Sequence, residues 1–195
     1  MADRAVLAAS PVTPEQTAEL IRGRRSVDRF EPQCPPADLI HAAVAAARWA
    51  PNHHLTNPWR FYLLGGQTRE AVIRLNTALV AEKRGAEAAA VKDRRWRAVP
   101  GWLLVTCHED DDDLRAREDY AATACAIQNL MLYLHSAGVA SKWTTGAVTR
   151  HADFLPACGV DDMQEYCVGL IWYGYAVRSP RTSRHAVADV LFTRP

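Results

Sequence analysis

The stretch from Ala121 to His135 constrains this chain more than any other. Ala121, Ala122, Ala124, Cys125, Ile127, Leu130, Met131, Leu132 and Leu134 leave only Thr123, Gln128, Asn129, Tyr133 and His135 as polar breaks before Gly138. The pattern predicts a helix that is hydrophobic on every side, and such a helix has to be buried on every side. A chain of 195 residues has little sequence left to supply two covering layers. The economical cover is a second copy of the same chain related by a two-fold axis. The expectation is one domain, residues 1–195, working as a homodimer.

The remaining elements follow from caps and periodicity. Thr13-Pro14-Glu15-Gln16 combines an N-cap, a proline at the first helical position and a glutamine placed to close a capping box, which predicts a helix to about Gly23. Pro35, Pro36 and Asp38 lead into a second helix, where Leu39, Ala42, Ala43, Ala46 and Ala50 recur at helical spacing until Pro51 stops it. Glu70 to Arg97 is a charged, alanine-rich helical region ending at Pro100. Three apolar runs bounded by glycine, proline or charge, Arg60 to Leu64, Trp102 to Cys107 and Cys167 to Tyr175, have the character of strands in one mixed sheet. The fold class is therefore α+β, a central mixed sheet flanked by helices.

Charge and cysteine usage exclude several roles. Lysine plus arginine number 23 against 22 aspartates and glutamates, so no overall field draws the chain to nucleic acid or anionic lipid. No apolar run approaches the length needed to span a bilayer. The first residues, MADRAVLAASPVTPEQ, lack the long apolar segment of an export signal, and a soluble cytoplasmic protein is expected. Five cysteines without a close pair argue against a disulfide framework or a zinc cluster. The acidic run from His108 to Asp113 has no glycine turn and is expected to be a solvated loop rather than a metal site.

Familiar catalytic signatures are missing. Gly65-Gly66 follows a strand without a dinucleotide or phosphate-loop motif, and no serine elbow or H-E-x-x-H appears. Such a chain suits a reaction carried by a bound cofactor. Arg24-Arg25-Ser26-Val27-Asp28-Arg29-Phe30 supplies guanidinium forks and a hydroxyl able to grip a phosphate or a carbonyl edge. Downstream, Arg48-Trp49-Ala50-Pro51-Asn52-His53 runs through Leu55-Thr56 to Asn57-Pro58-Trp59, where a helix ends, a polar loop follows and a strand begins.

In series these two segments resemble the N-terminal hallmark of the nitroreductase-like flavoproteins, R-R-S-x-R-x-F followed by A-P-S-x-x-N-x-Q-P-W. Trp143-Thr144-Thr145-Gly146 is similar to the family's flavin-edge strand, and Arg184-His185-Ala186-Val187-Ala188-Asp189-Val190 to its terminal phosphate-binding segment. The short length is similar to the minimal-scaffold branch of the family.

The resemblance implies two intertwined subunits with two FMN molecules bound across their interface, and NADH or NADPH as transient electron donor to a nitroaromatic, quinone or enone. By the same resemblance, Arg24, Arg25 and Ser26 hold the phosphate and the pyrimidine side. Pro51, Asn52 and His53 reach the flavin of the other subunit, and Trp143, Thr144 and Thr145 line its remaining edge. Arg184 completes the phosphate site, with Arg181 as its substitute should the register slip. No side chain is expected to act as a catalytic acid or base. Asp28 stands where many members carry a cation, so its carboxylate is expected to point away from the flavin, with Arg25 as a possible source of the charge. The competing classes are a flavin carrier or sensor without turnover, and a structural dimer without cofactor.

Overall fold

The computed structural model describes residues 11–194. The expected lack of an export signal concerns a segment that lies largely outside them. Thr13 and Gln16 close their capping box with bonds of 2.9 and 3.2 Å, which starts α1 (Pro14–Gly23). Then follow α2 (Ala37–Ala47), β1 (Trp59–Leu63), α3 (Gly66–Arg84), α4 (Ala86–Arg97) and β2 (Gly101–His108). After them come α5 (Asp113–Ser136), β3 (Ala140–Thr144), the short α6 (Phe154–Ala157) and β4 (Glu165–Gly174). No helix among the described residues is long and apolar enough to cross a membrane.

The single helical region expected between Glu70 and Arg97 is two helices. Gly85, at φ 86°, occupies a left-handed backbone region that side-chain-bearing residues disfavour, and it turns α3 back into α4. The acidic run also has a structural task. Asp112 accepts hydrogen bonds from the amides of Leu114 and Arg115, each 2.9 Å, so α5 begins eight residues before the apolar stretch.

The sheet has the order β1-β2-β4-β3. A central sheet flanked by helices is as expected, but its three ladders are all antiparallel. Among the described residues, parallel pairing is confined to an isolated bridge between Ser26 and Ser141. Strand β2 is buried on both faces. Leu103, Val105 and Cys107 enter one core with α2 and α5, whereas Trp102 and Leu104 enter a second with α3 and α4. In the second core, Trp96 meets Trp102 and Trp172 edge-on, with ring centroids 5.2 and 5.3 Å apart. This cluster fixes α4 against the sheet.

Helix α5 is not buried all round within one subunit. Ala122, Ala126, Ile127, Leu130, Met131 and Leu134 face the core, whereas Ala121, Cys125 and Gln128 are exposed and Leu132 half-buried. These last four residues form one line along the helix. The apolar content was read correctly, but its distribution leaves a strip that the chain itself does not cover.

Edge strand β3 is held by a close approach. Trp143 lays its indole over Gly169 and donates from Nε1 to the Val168 carbonyl at 3.1 Å. A Cβ at position 169 would stand 2.0 Å from that nitrogen. Gly169→Ala is therefore expected to displace Trp143 and cost about 1–3 kcal/mol of stability. Urea unfolding and the loss of the Trp143 indole N–H signal would show it; unchanged values of both would contradict this packing.

Candidate functional site

The segment after α1 runs as an irregular strand across the ends of β3 and β4. The Val27 amide donates to the Ser141 carbonyl at 3.1 Å, Glu31 to Tyr175 at 2.8 Å, and Val177 to Arg29 at 3.1 Å. Val27 and Phe30 are thereby drawn into the core, leaving Arg24, Arg25 and Ser26 on the accessible side. Arg24, Arg25, His135, Ser141 and Ser179 line a cavity of about 200 Å³ whose lining includes no carboxylate. Burial, then the charges of Arg25 and Arg184, hold the Arg24 guanidinium below its ordinary pKa. Arg184, far off in sequence, adds its charge to that field, but it does not line the cavity, and its Nη1 donates to the Thr182 hydroxyl and the Ser183 carbonyl, both at 2.9 Å. Two buried donors here, Arg24 Nη1 and Ser141 Oγ, have no hydrogen-bond partner. Crowded cations without a carboxylate, and two unpartnered donors, are the kind of surroundings that suit a phosphate-sized anion.

A second cavity, about 720 Å³, opens between α3, α4 and β3. Because side chains alternate along a strand, β3 sends Ser141 and Trp143 to one side and Lys142 and Thr144 to the other. The half-buried Trp143 side chain packs against the core, while Thr144 and Gly146 line the cavity. Thr145 is exposed beside them, its carbonyl accepting from Arg150 at 3.2 Å. Across from β3, α4 contributes Lys92 and Arg95. Arg95 also pairs with Asp28 and lines a neighbouring cavity of about 560 Å³ with Asp28, Arg29 and Arg178. The Asp28 carboxylate is thus engaged. Arg25 lines the small cavity, with its Nη1 donating to the Arg22 and Arg24 carbonyls.

Pro51, Asn52 and His53 line none of these three cavities. Their loop is tied to α5: Asp119, 2% exposed, accepts from the Thr56 hydroxyl and from Asn52 Nδ2, the latter at 3.5 Å. Asn52 Oδ1 accepts from the Asn57 amide at 2.7 Å. His54, Leu55 and Asn57 all have positive φ, a costly conformation that the Asp119 anchor sustains. His53 Nδ1 lies 2.8 Å from Glu118 Oε2, and the ring stacks on His54. Potential ligand atoms of His53, His54 and Glu118 lie within 4.8 Å of one another, a grouping invisible in sequence because Glu118 comes from α5.

Sequence reasoning missed Lys92, Arg95, Lys142, Ser141 and His135. The run Lys92-Asp93-Arg94-Arg95-Trp96-Arg97 was the available signal, but it is indistinguishable from an ordinary solvated helix face until Trp96 is known to be buried.

Comparison with known proteins adds an independent finding. The sequence model of the Nitroreductase family matches residues 21–175. A Bacillus subtilis protein named "Putative NAD(P)H nitroreductase YfhC" is 29% identical over 179 residues, 90% of this chain and 92% of the relative. Among solved structures, the nitroreductase-like family protein from Bacillus cereus superposes with a TM-score of 0.83 at 25% identity, covering 97% of this chain and 99% of that one. The FMN-dependent nitroreductase NfnB from Mycobacterium smegmatis, solved in complex with NADPH, gives 0.73 at 19% identity over 91% and 98% of the two chains.

The electrostatics of the small cavity have a measurable consequence. Burial first, then Arg24 and Arg25, hold the His135 imidazole below its ordinary pKa. An anion that neutralises the arginines removes the second cause, so inorganic phosphate should raise the His135 titration, and its binding should tighten as pH falls through that range. NMR titration of His135 with and without phosphate checks this; an identical titration in both would contradict the anion site.

Proposed function

The chain belongs to the nitroreductase family, and on that premise we propose that it is an FMN-dependent NAD(P)H oxidoreductase. The observation that carries the proposal is the pair of unpartnered buried donors, Arg24 Nη1 and Ser141 Oγ, in a basic pocket without carboxylates. These residues fit a flavin phosphate, with Arg25, Ser26 and Arg184 completing its donors. Bound FMN would accept a hydride from NADH or NADPH and deliver electrons to a nitroaromatic, quinone or enone.

The chain's own residues bind and tune. Lys92 and Arg95, facing the larger cavity, would favour a ligand edge that gains negative charge on reduction, because cations fixed beforehand need no reorganisation. Thr144, Thr145 and the backbone of Trp143 would hold the opposite edge. Asp28 keeps Arg95 in place through their ion pair and tempers its charge. No side chain is assigned acid-base chemistry. The free state of all five cysteines supports a reducing, cytoplasmic setting.

The proposed assembly is a homodimer in which Pro51, Asn52 and His53 serve the partner's cofactor. Two exposed features support it: the strip Ala121, Cys125, Gln128 and Leu132 on α5, and a C-terminal segment with Val187, Val190, Leu191 and Phe192 about 70% exposed. Small residues at 121 and 125 allow close approach of two helices, and the apolar segment suits embrace of a second subunit. Met131, 3% exposed, lies in the subunit's own core, so replacing it tests folding rather than association.

Two experiments follow. The purified protein should be yellow and oxidise NADH or NADPH when a nitroaromatic or quinone is added, and Arg24→Ala should weaken flavin retention by about tenfold or more. Full flavin occupancy of that variant through dilution would reject the phosphate assignment. Cys125→Glu places an unpaired charge on the α5 strip and should yield monomers in sedimentation, with flavin lost in parallel; a stable dimer would reject the interface.

A further inference from the structure

The cavity between α3, α4 and β3 carries more positive charge than its own carboxylates balance. Lys83, Arg84, Lys92, Arg95 and Lys142 line it against one acidic residue, Glu87. Asp28 pairs with Arg95, but among the described residues no ion pair reaches Lys83, Arg84, Lys92 or Lys142. These cations feel one another. Burial, then Arg95, Lys142 and Arg84, hold the Lys92 ammonium below its ordinary pKa. Two are also pinned to the wall, with Lys92 Nζ 5.5 Å from the Trp96 ring centroid and Lys142 Nζ 5.6 Å from that of Trp172.

Three residues that line the cavity with these cations also carry buried, unpartnered donors. Asn76 Nδ2, Trp96 Nε1 and Trp172 Nε1 are buried without a hydrogen-bond partner, on lining residues only 6%, 3% and 3% exposed. Desolvated donors without acceptors are costly. Lys83 and Arg84 end α3, where any helix favours cations, but that preference explains neither Lys142 on the opposite wall nor the unpaired donors. A negatively charged ligand answers the unbalanced charge on both walls.

We propose that this cavity selects its substrates by an anionic group, a carboxylate or a phosphate borne on a planar ring compound, with Lys83 and Arg84 as the discriminating cations. The proposal rests on the reading of the same cavity as a flavin and substrate site. It narrows the substrate class, since a neutral nitroaromatic of equal shape gains nothing from Lys83 and Arg84. Either the electron acceptor or the 2′-phosphate that distinguishes NADPH from NADH can carry the charge.

The test is calorimetric binding to the protein as purified, comparing 4-nitrobenzoate with the neutral 4-nitrobenzamide, and NADPH with NADH. At low salt the charged member of at least one pair should bind roughly tenfold more tightly, and added salt should shrink the difference. In the double variant Lys83→Gln, Arg84→Gln, both positions being exposed at a helix end, the preference should fall below about threefold; Lys142→Gln provides a second variant on the other wall. Preference confined to nitrobenzoate assigns the anion to the acceptor, and preference confined to NADPH assigns it to the donor. Equal binding within both pairs, or a preference that survives undiminished in both variants, overturns the proposal. A colourless protein that still prefers the charged ligands would remove the flavin reading and leave this one standing; a yellow protein without preference would do the reverse.

Discussion

The mutual packing of Trp96, Trp102 and Trp172 is the contact on which the candidate site depends. Trp102 and Trp172 come from the two central strands, and Trp96 is the buried residue of α4's last turn. Three indoles in edge-on and tilted contact bury a large apolar area and prefer defined angles. They set the height of α4 above the sheet. Everything α4 offers a ligand, Lys92 one turn earlier and Arg95 beside Trp96, inherits its position from that contact. The Trp96 and Trp172 indole nitrogens remain without acceptors, so the same cluster that builds the wall also leaves it hungry for hydrogen bonds.

Strand β3 divides the site by simple alternation. Its odd-numbered residues, Ser141 and Trp143, turn toward the phosphate-sized cavity and the α5 core, while Lys142 and Thr144 turn toward the larger cavity. The strand is short and at the sheet's edge, and the Ser26 bridge on its free side ties the arginine pair to it. The small basic cavity and the larger one are thereby both lined by one rigid element, which fixes their geometry relative to each other. Repulsion among cations in both places, felt by Arg24 and by Lys92, is sustained by the packing beneath them.

Much of the fold was legible because its signals are local. The capping box of α1 and the apolar runs of β2 and β4 each act within a few residues, where chain geometry and solvation dictate the outcome, whereas α2 ends at Ala47, four residues before the proline expected to stop it. The α3–α4 break was missed since Gly85 within an alanine-rich run does not by itself reveal a left-handed turn. Helix α5 shows the limit of composition: its count of apolar residues was informative, yet which of them face the core depends on how α2 and the sheet pack against it. Met131 and Leu132 are adjacent in sequence and equally hydrophobic, and only packing buries the first more deeply than the second.

The sequence alone determined the α+β class, the first two helices, three of the four strands, and the family likeness carried by the Arg24-Arg25-Ser26 and Pro51-Asn52-His53 segments, because caps, periodicity and motif spacing are properties of neighbouring residues. Tertiary structure alone decided that Arg24 shares a small cavity with His135 and Ser141 and that Asp28 spends its charge on Arg95. It also decided that Asp119 anchors the His53 loop, and that Lys92, Arg95 and Lys142 share a cavity with buried unpaired donors. The reason is physical. Charge and desolvation act through space, so a lysine acquires a role only when folding fixes what lies within a few ångströms of it and removes the water between them.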